Sequence, residues 1–181
     1  MEKISKSPFK VVITGPECSG KSTLSKQLSE YFEQPWVTEY ARTYLSEIQR
    51  PYQESDLLEI AKGQIEQEDQ LLASDNAIVF IDTSLEVIKV WSEWKYDRCD
   101  AFIQEQLSAR AVDLYLLLSP DMAWEDDPLR ENPHDRSLLF DIYKKEIEAL
   151  GSPYEIISGH GLIRTKRAIK SIHAWTSKKD Q

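Results

Sequence analysis

Gly15-Pro-Glu-Cys-Ser-Gly-Lys-Ser-Thr23 is the segment whose residue types and spacing carry the plainest chemistry in this chain. It fits G-x-x-x-x-G-K-[ST] throughout, with an apolar run before it and helical spacing after it. Gly15 and Gly20 allow the backbone to curl so that its N–H groups converge on an anion, and a helix opening near Lys21 adds its positive end. The expected ligand is ATP, bound by Gly15, Glu17, Ser19, Gly20, Lys21, Ser22 and Thr23. Lys21 would reach the β- and γ-phosphates and Thr23 the α-phosphate, with the Ser22 hydroxyl on Mg²⁺. A glycine turn that merely caps a helix is the bland alternative, and the strand-then-helix context argues against it.

Carboxylates at the ends of apolar runs come next, because ligands of open α/β sheets collect beyond the carboxyl ends of the strands. Asp82 closes Ala77–Ile81 and is expected to hold Mg²⁺ or the substrate. Glu39 follows Trp36–Thr38 within Glu39-Tyr-Ala-Arg42 and is the expected base toward an acceptor hydroxyl. Both could line one cleft if their strands are neighbours. The competing readings are a helix N-terminal acid for Glu39 and an N-cap for Asp82. Asp121 follows the next apolar run.

Residues 121–136 (DMAWEDDPLRENPHDR) form a polar stretch of about 15 residues, the kind of loop that moves over a site. Arg130 and Arg136 are its expected catalytic cations, offsetting charge on the transferred phosphoryl group; pairing with Asp126, Asp127 or Asp135 is the alternative. Trp91 and Trp94 are three apart, on one helix face, and suit stacking on a planar ring, as Tyr40 does less strongly; core packing is their alternative use. His134, His160 and His173 are scattered and read as surface residues.

The elements that must position these groups follow from periodicity. Phe9–Thr14, Ala77–Ile81 and Val112–Leu118 are nearly unbroken apolar runs, with shorter ones at Trp36–Thr38 and Tyr154–Ile157. Helical spacing covers Ser22–Phe32, Asp56–Ala73, Phe102–Ala109, Ser137–Leu150 and Leu162–Trp175. Continuous strands alternating with helices predict an α/β fold: a single doubly wound parallel sheet, helices on both faces, and a lid loop over it. Residues 1–181 are expected to form one domain.

Composition narrows the function. The net charge of −9 excludes an extended nucleic-acid surface, which needs clustered Lys and Arg. Two cysteines support neither a disulfide framework nor a zinc site. No apolar run approaches the roughly 20 residues of a membrane span, and Met1–Pro8 lacks the apolar stretch of a signal peptide, so a cytoplasmic location is expected. Oligomeric state is left open.

Taken together, Gly15–Thr23, Glu39-Tyr-Ala-Arg42, Phe80-Ile-Asp-Thr83, Trp124 through Arg130, and Asp135-Arg136 resemble the NadR-type ribosylnicotinamide kinases. They stand in family order and span about 10–172. The resemblance implies a deoxynucleoside-kinase-like P-loop fold transferring the γ-phosphate of ATP to nicotinamide riboside, giving nicotinamide mononucleotide. It further implies that Glu39, Arg42 and Asp82 face the riboside, and that Asp127, Arg130 and Arg136 belong to the lid. Two departures stand out. The adenylyltransferase and DNA-binding modules of larger members have no counterpart here, so no NAD-forming step is expected. The WSEWKY segment is only loosely like the family's. A kinase for another nucleoside or nucleotide, and an ATP-binding or ATPase regulatory module without a small acceptor, are the other readings.

Overall fold

Phe9, Val11 and Ile13 point to one face of the first strand and Val12 to the other, and all four are buried. A strand apolar on both sides must sit inside a sheet covered on both sides, and the computed structural model places it there. The structure describes residues 7–179. The expectation about a signal peptide rests largely on residues 1–6 and lies outside the described residues.

The elements are β1 (Phe9–Thr14), α1 (Lys21–Phe32), β2 (Trp36–Val37), α2 (Tyr40–Glu47), α3 (Glu54–Leu72) and β3 (Ile78–Asp82), then α4 (Leu85–Tyr96), α5 (Ala101–Ala109), β4 (Leu114–Leu118), α6 (Arg136–Ala149), β5 (Tyr154–Ile157) and α7 (Gly161–Lys179). The five strands are parallel in the order β2-β3-β1-β4-β5. The chain leaves β1 toward the β2 edge and leaves the neighbouring β4 toward the β5 edge, so the loop after β1 opens at the switch point, where a crevice forms.

On one face, Val11, Ile13, Phe80, Leu114 and Leu116 pack under Leu24 and Leu28 of α1 and Ala168 and Ile172 of α7. On the other, Val12, Val79, Ile81, Tyr115 and Leu117 pack under Leu139, Tyr143 and Ile147 of α6 and Val90 of α4. Each fully buried aliphatic side chain contributes roughly 1.5–3 kcal/mol. A further cluster joins α2, α3, α4 and α5 through Ala41, Leu57, Ile60, Leu85, Ile88, Ile103 and Leu107. Among the described residues no helix is long and apolar enough to cross a membrane.

The sheet agrees with expectation, and the differences are local. The short α2 has a single buried residue, Ala41, and so shows too little apolar periodicity to be read ahead of the structure. Arg136 is the first residue of α6 rather than the last of the lid, and Asp135 occupies the cap position before it.

Candidate active site

The loop between β1 and α1 is held by close backbone contact. A Cβ on Gly15, at φ 137°, would lie 2.8 Å from the Leu118 carbonyl oxygen, and one on Gly20, at φ 83°, would lie 2.9 Å from Met122 Sδ. Gly15 admits no side chain without moving β4, and at Gly20, whose positive φ strains any other residue, the Met122 side chain would have to give way. Lys21 folds back over the loop, its Nζ donating to the carbonyls of Gly15 (2.9 Å) and Pro16 (3.0 Å). Ser22 and Thr23 are exposed toward the cleft, while Ser19 is buried.

Pairing of Val37 with Ile81 brings the ends of β2 and β3 side by side, and with them Glu39 and Asp82. Asp82 is buried, which pushes its carboxyl up to about 6; the nearby Ser22 hydroxyl opposes the shift, Glu39 adds to it, and Lys21 and Arg42 oppose it. As the last residue of β3 it caps no helix; Ser84 occupies that position for α4. Glu39 stands at the cap position of α2, yet its side chain does not cap. It accepts instead from Arg42 Nε at 3.1 Å, and Arg42 Nη1 reaches Asp127 Oδ2 at 3.1 Å. Burial works against the Arg42 charge, but Glu39 and Asp127 outweigh it and raise its pKa. Asp127 is held below the usual carboxylate range by the Leu129 N–H and by Arg42.

Mg²⁺ prefers one or two protein oxygens, with water and phosphate completing its shell. The Ser22 hydroxyl near the Asp82 carboxyl, with Glu39 close enough to perturb Asp82, fits that demand.

The lid reaches the phosphate loop through that loop's own side chains. The Glu17 carboxylate accepts from the backbone N–H of Asn132 (2.8 Å) and of Glu131 (3.1 Å). The Cys18 thiol donates to the Ala123 carbonyl (3.2 Å) and accepts from the Glu125 N–H (3.3 Å) and Arg130 Nη1 (3.4 Å). Arg130 also bonds the Glu125 carbonyl, and Arg136 Nη1 bonds that of Met122 at 2.8 Å. Both guanidinium groups lie about the Trp124 ring, 6.0 and 5.7 Å from its centre. Of the acids suggested as ion-pair partners, Asp127 alone lies within range of Arg130, at 4.0 Å.

A cavity of about 180 Å³ runs from the phosphate loop past Glu39 to the space between α4, α6 and the lid. Trp91, Trp94, Val90, Leu129 and Tyr143 contribute its apolar walls, and Arg42 and Arg130 also line it. Trp91 Nε1 donates to the Tyr52 hydroxyl (2.9 Å) and Trp94 Nε1 to Asn132 Oδ1 (3.1 Å). Tyr52 also receives Lys95 and donates to Glu131 of the lid (2.7 Å); burial pushes its pKa up to about 12.

Residues 10–164 match the family model of an AAA domain, AAA_28. This chain belongs to the AAA_28 family. The AAA_28 chain is 32% identical over 146 residues to the trifunctional NAD biosynthesis/regulator protein NadR of Escherichia coli (strain K12), covering 77% of itself and 34% of that protein. It spans about a third of the length of the curated relatives it matches. A crystal structure of NadR in complex with NR superposes at a TM-score of 0.85 with 22% identity, over 96% of this chain and 53% of that one. Another, of NadR with NAD and AMP-PNP, superposes at 0.78 with 22% identity, over 94% and 50%. The fold is that of the P-loop kinases, and the AAA_28 chain is of the NadR type, as its motifs suggested.

Most residues singled out in the sequence converge on this cleft. Tyr40 is the exception. Its ring lies over Gly63 of α3, 2.1 Å from where a Cβ would be, so it packs α2 onto α3 and lines no part of the cavity. Asp127 and Asp82 stand behind the lining beside Arg42 and Ser22, and Arg136 holds the Met122 carbonyl in the lid, also off the lining. Tyr52, Cys18 and Asn132 were not singled out for the site. Only Cys18 carried a signal, its place inside the phosphate loop.

Proposed function

We propose that this AAA_28 chain is a Mg²⁺-dependent kinase that transfers the γ-phosphate of ATP to nicotinamide riboside, giving nicotinamide mononucleotide in the cytoplasm. The carrying observation is the β2–β3 register, which sets Glu39 and Asp82 side by side at the mouth of the phosphate loop, with an aromatic cavity beyond.

In this reading the γ-phosphate points from the loop toward Glu39. The Glu39 carboxylate, held by Arg42, orients the acceptor hydroxyl and takes its proton as that oxygen bonds to phosphorus. The bond from the γ-phosphorus to the bridging oxygen breaks, and ADP leaves. Lys21 turns from the loop carbonyls to the phosphates once they arrive. Arg130 offsets charge from the lid, with Arg136 behind it, and the lid excludes water that would compete for the phosphoryl group. Ser22 and Asp82 would hold Mg²⁺, which supplies neutralising charge between phosphate oxygens when bound.

A ribosylated pyridinium carries a positive ring, which aromatic faces and nearby carboxylates favour. The cavity offers Trp91 and Trp94 together with Glu17, Glu39 and Glu131, and Asn132 is its sole side-chain amide among the described residues. Neutral bases need paired amide donors and acceptors, so this lining favours the pyridinium over a purine or thymine. The NadR complexes with NR and with AMP-PNP support the same assignment.

The test is incubation with Mg²⁺-ATP and a nucleoside panel that includes nicotinamide riboside, following ADP and the phosphorylated product. Nicotinamide mononucleotide formed with matching ADP is the expected result. ADP release on a different nucleoside would move the substrate and keep the mechanism. ADP release independent of every acceptor would replace the kinase by an ATPase.

A further inference from the structure

Arg164 lies one turn into α7, is buried at 3% exposure, and has no part in the chemistry above. Its guanidinium meets three loops. Nη1 donates to the Ser19 carbonyl of the phosphate loop. Nη2 donates to the Ser119 carbonyl after β4 (3.2 Å) and bonds the Asp121 carboxylate at the foot of the lid. Nε donates to the Gly159 carbonyl after β5 at 2.7 Å. The other Asp121 oxygen accepts from the Gly159 N–H at 2.6 Å, closing the arrangement.

The direction of the Ser19 contact matters most. A phosphate nest works only if its N–H groups face the anion and its carbonyls face away. In a trans peptide the C=O of one residue and the N–H of the next point to opposite sides. Arg164 does not line the cavity, whereas Ser19 and Gly20 do. With the Ser19 carbonyl drawn back onto Arg164, the Gly20 N–H is turned into the cleft. Gly20 lies so near this shelf that a Cβ there would stand 3.4 Å from Arg164 Nη1. Lysine cannot take the same place, because a single ammonium lacks the planar fork that serves several acceptors in fixed directions.

We propose that Arg164 is a positioning residue for the nucleotide phosphates, holding the Ser19–Gly20 peptide in its anion-binding orientation and tying it to the foot of the lid. The proposal rests on the kinase reading only in taking a nucleoside triphosphate as the ligand. It assigns a phosphate-site function to a residue outside every motif of that site.

The test compares wild type with Arg164→Lys, measuring ATP and nicotinamide riboside binding by calorimetry and thermal melting alongside. Arg164→Lys is expected to weaken ATP about ten- to a hundredfold, the scale of a hydrogen bond to a charged group, and to leave riboside binding unchanged. Arg164→Ala should show the same loss, and methylguanidinium added to it should restore ATP binding. Wild-type ATP affinity in Arg164→Lys would overturn the proposal. Equal losses for both ligands with a lowered melting temperature would overturn it too, leaving a scaffold role. A wild type that binds ATP but no riboside would remove nicotinamide riboside as the acceptor, while the ATP comparison still decides Arg164.

Discussion

Gly15 lies against the β4 backbone so closely that no side chain fits, and Gly20 holds a left-handed turn, whereas Trp91 and Trp94 reach Tyr52 and Asn132 through single side-chain hydrogen bonds. The donor end of the cleft is made of backbone, gripped between β1, α1 and a buried arginine. The acceptor end is made of side chains from α4, the segment before α3 and the lid, several of them exposed. Backbone geometry is shared by the whole loop and fails as a unit; a lattice of side chains loses one contact at a time. Substitutions at the donor end should therefore act on turnover as a whole, and those at the acceptor end should act in graded steps on one substrate.

The largest expected effect is at Lys21. Lys21→Ala should lower turnover about a thousandfold, the upper scale for loss of one preorganised charge, without unfolding the chain. Initial rates and a melting curve check this, and near-wild-type rates would break the contrast at its strongest point. Glu39→Gln, at the junction of the two ends, should reduce kcat by about a hundredfold or more. Should KM alone rise, Glu39 belongs to the acceptor lattice as a binding residue. Tyr52→Phe removes one hydroxyl from that lattice and should raise the acceptor KM by roughly two- to tenfold, leaving the KM for ATP unchanged. A shift in both would mean that the ends are not separable.

The smallest effect is on stability beneath the donor end. Glu86 of α4 is fully buried near Thr14, the residue preceding the phosphate loop, and also near Glu68 and Lys10. Burial pushes its carboxyl up to about 7 from 4.5, with the Thr14 hydroxyl opposing. The folded chain thus holds a proton that the unfolded chain releases, and stability falls as pH rises from about 4.5 through 7. Glu86→Gln should remove that slope, so that its melting temperature gains on wild type at pH 8 relative to pH 5. Parallel curves would place the ionisation elsewhere.

The same contrast accounts for what the sequence disclosed. Strands such as Val11–Ile13 and Val79–Ile81 were legible because burial on both faces leaves an unbroken apolar run. The phosphate loop was legible because glycines and Lys21 at fixed spacing are a local requirement. Asp82 and Glu39 were legible as strand-end acids, but their adjacency needed the β2–β3 pairing. Tyr40 misled because its fate depends on Gly63, on another helix. Arg164 left no trace because its partners are mostly carbonyl oxygens of distant loops, and any residue supplies a carbonyl. Tyr52 and Asn132 were hidden in the same way, their contacts being set by how the lid lies.

Gly63 has room for nothing under the ring of Tyr40. A glycine inside α3 forgoes about 1 kcal/mol of helix propensity, and here it leaves room for the flat contact. Because Tyr40 immediately follows Glu39, the seat of one aromatic ring fixes where the carboxylate stands. A side chain at position 63 would meet that ring, so either Tyr40 turns away or α2 lifts and carries Glu39 with it. Two sites with no part in the chemistry thus bear on where the base stands.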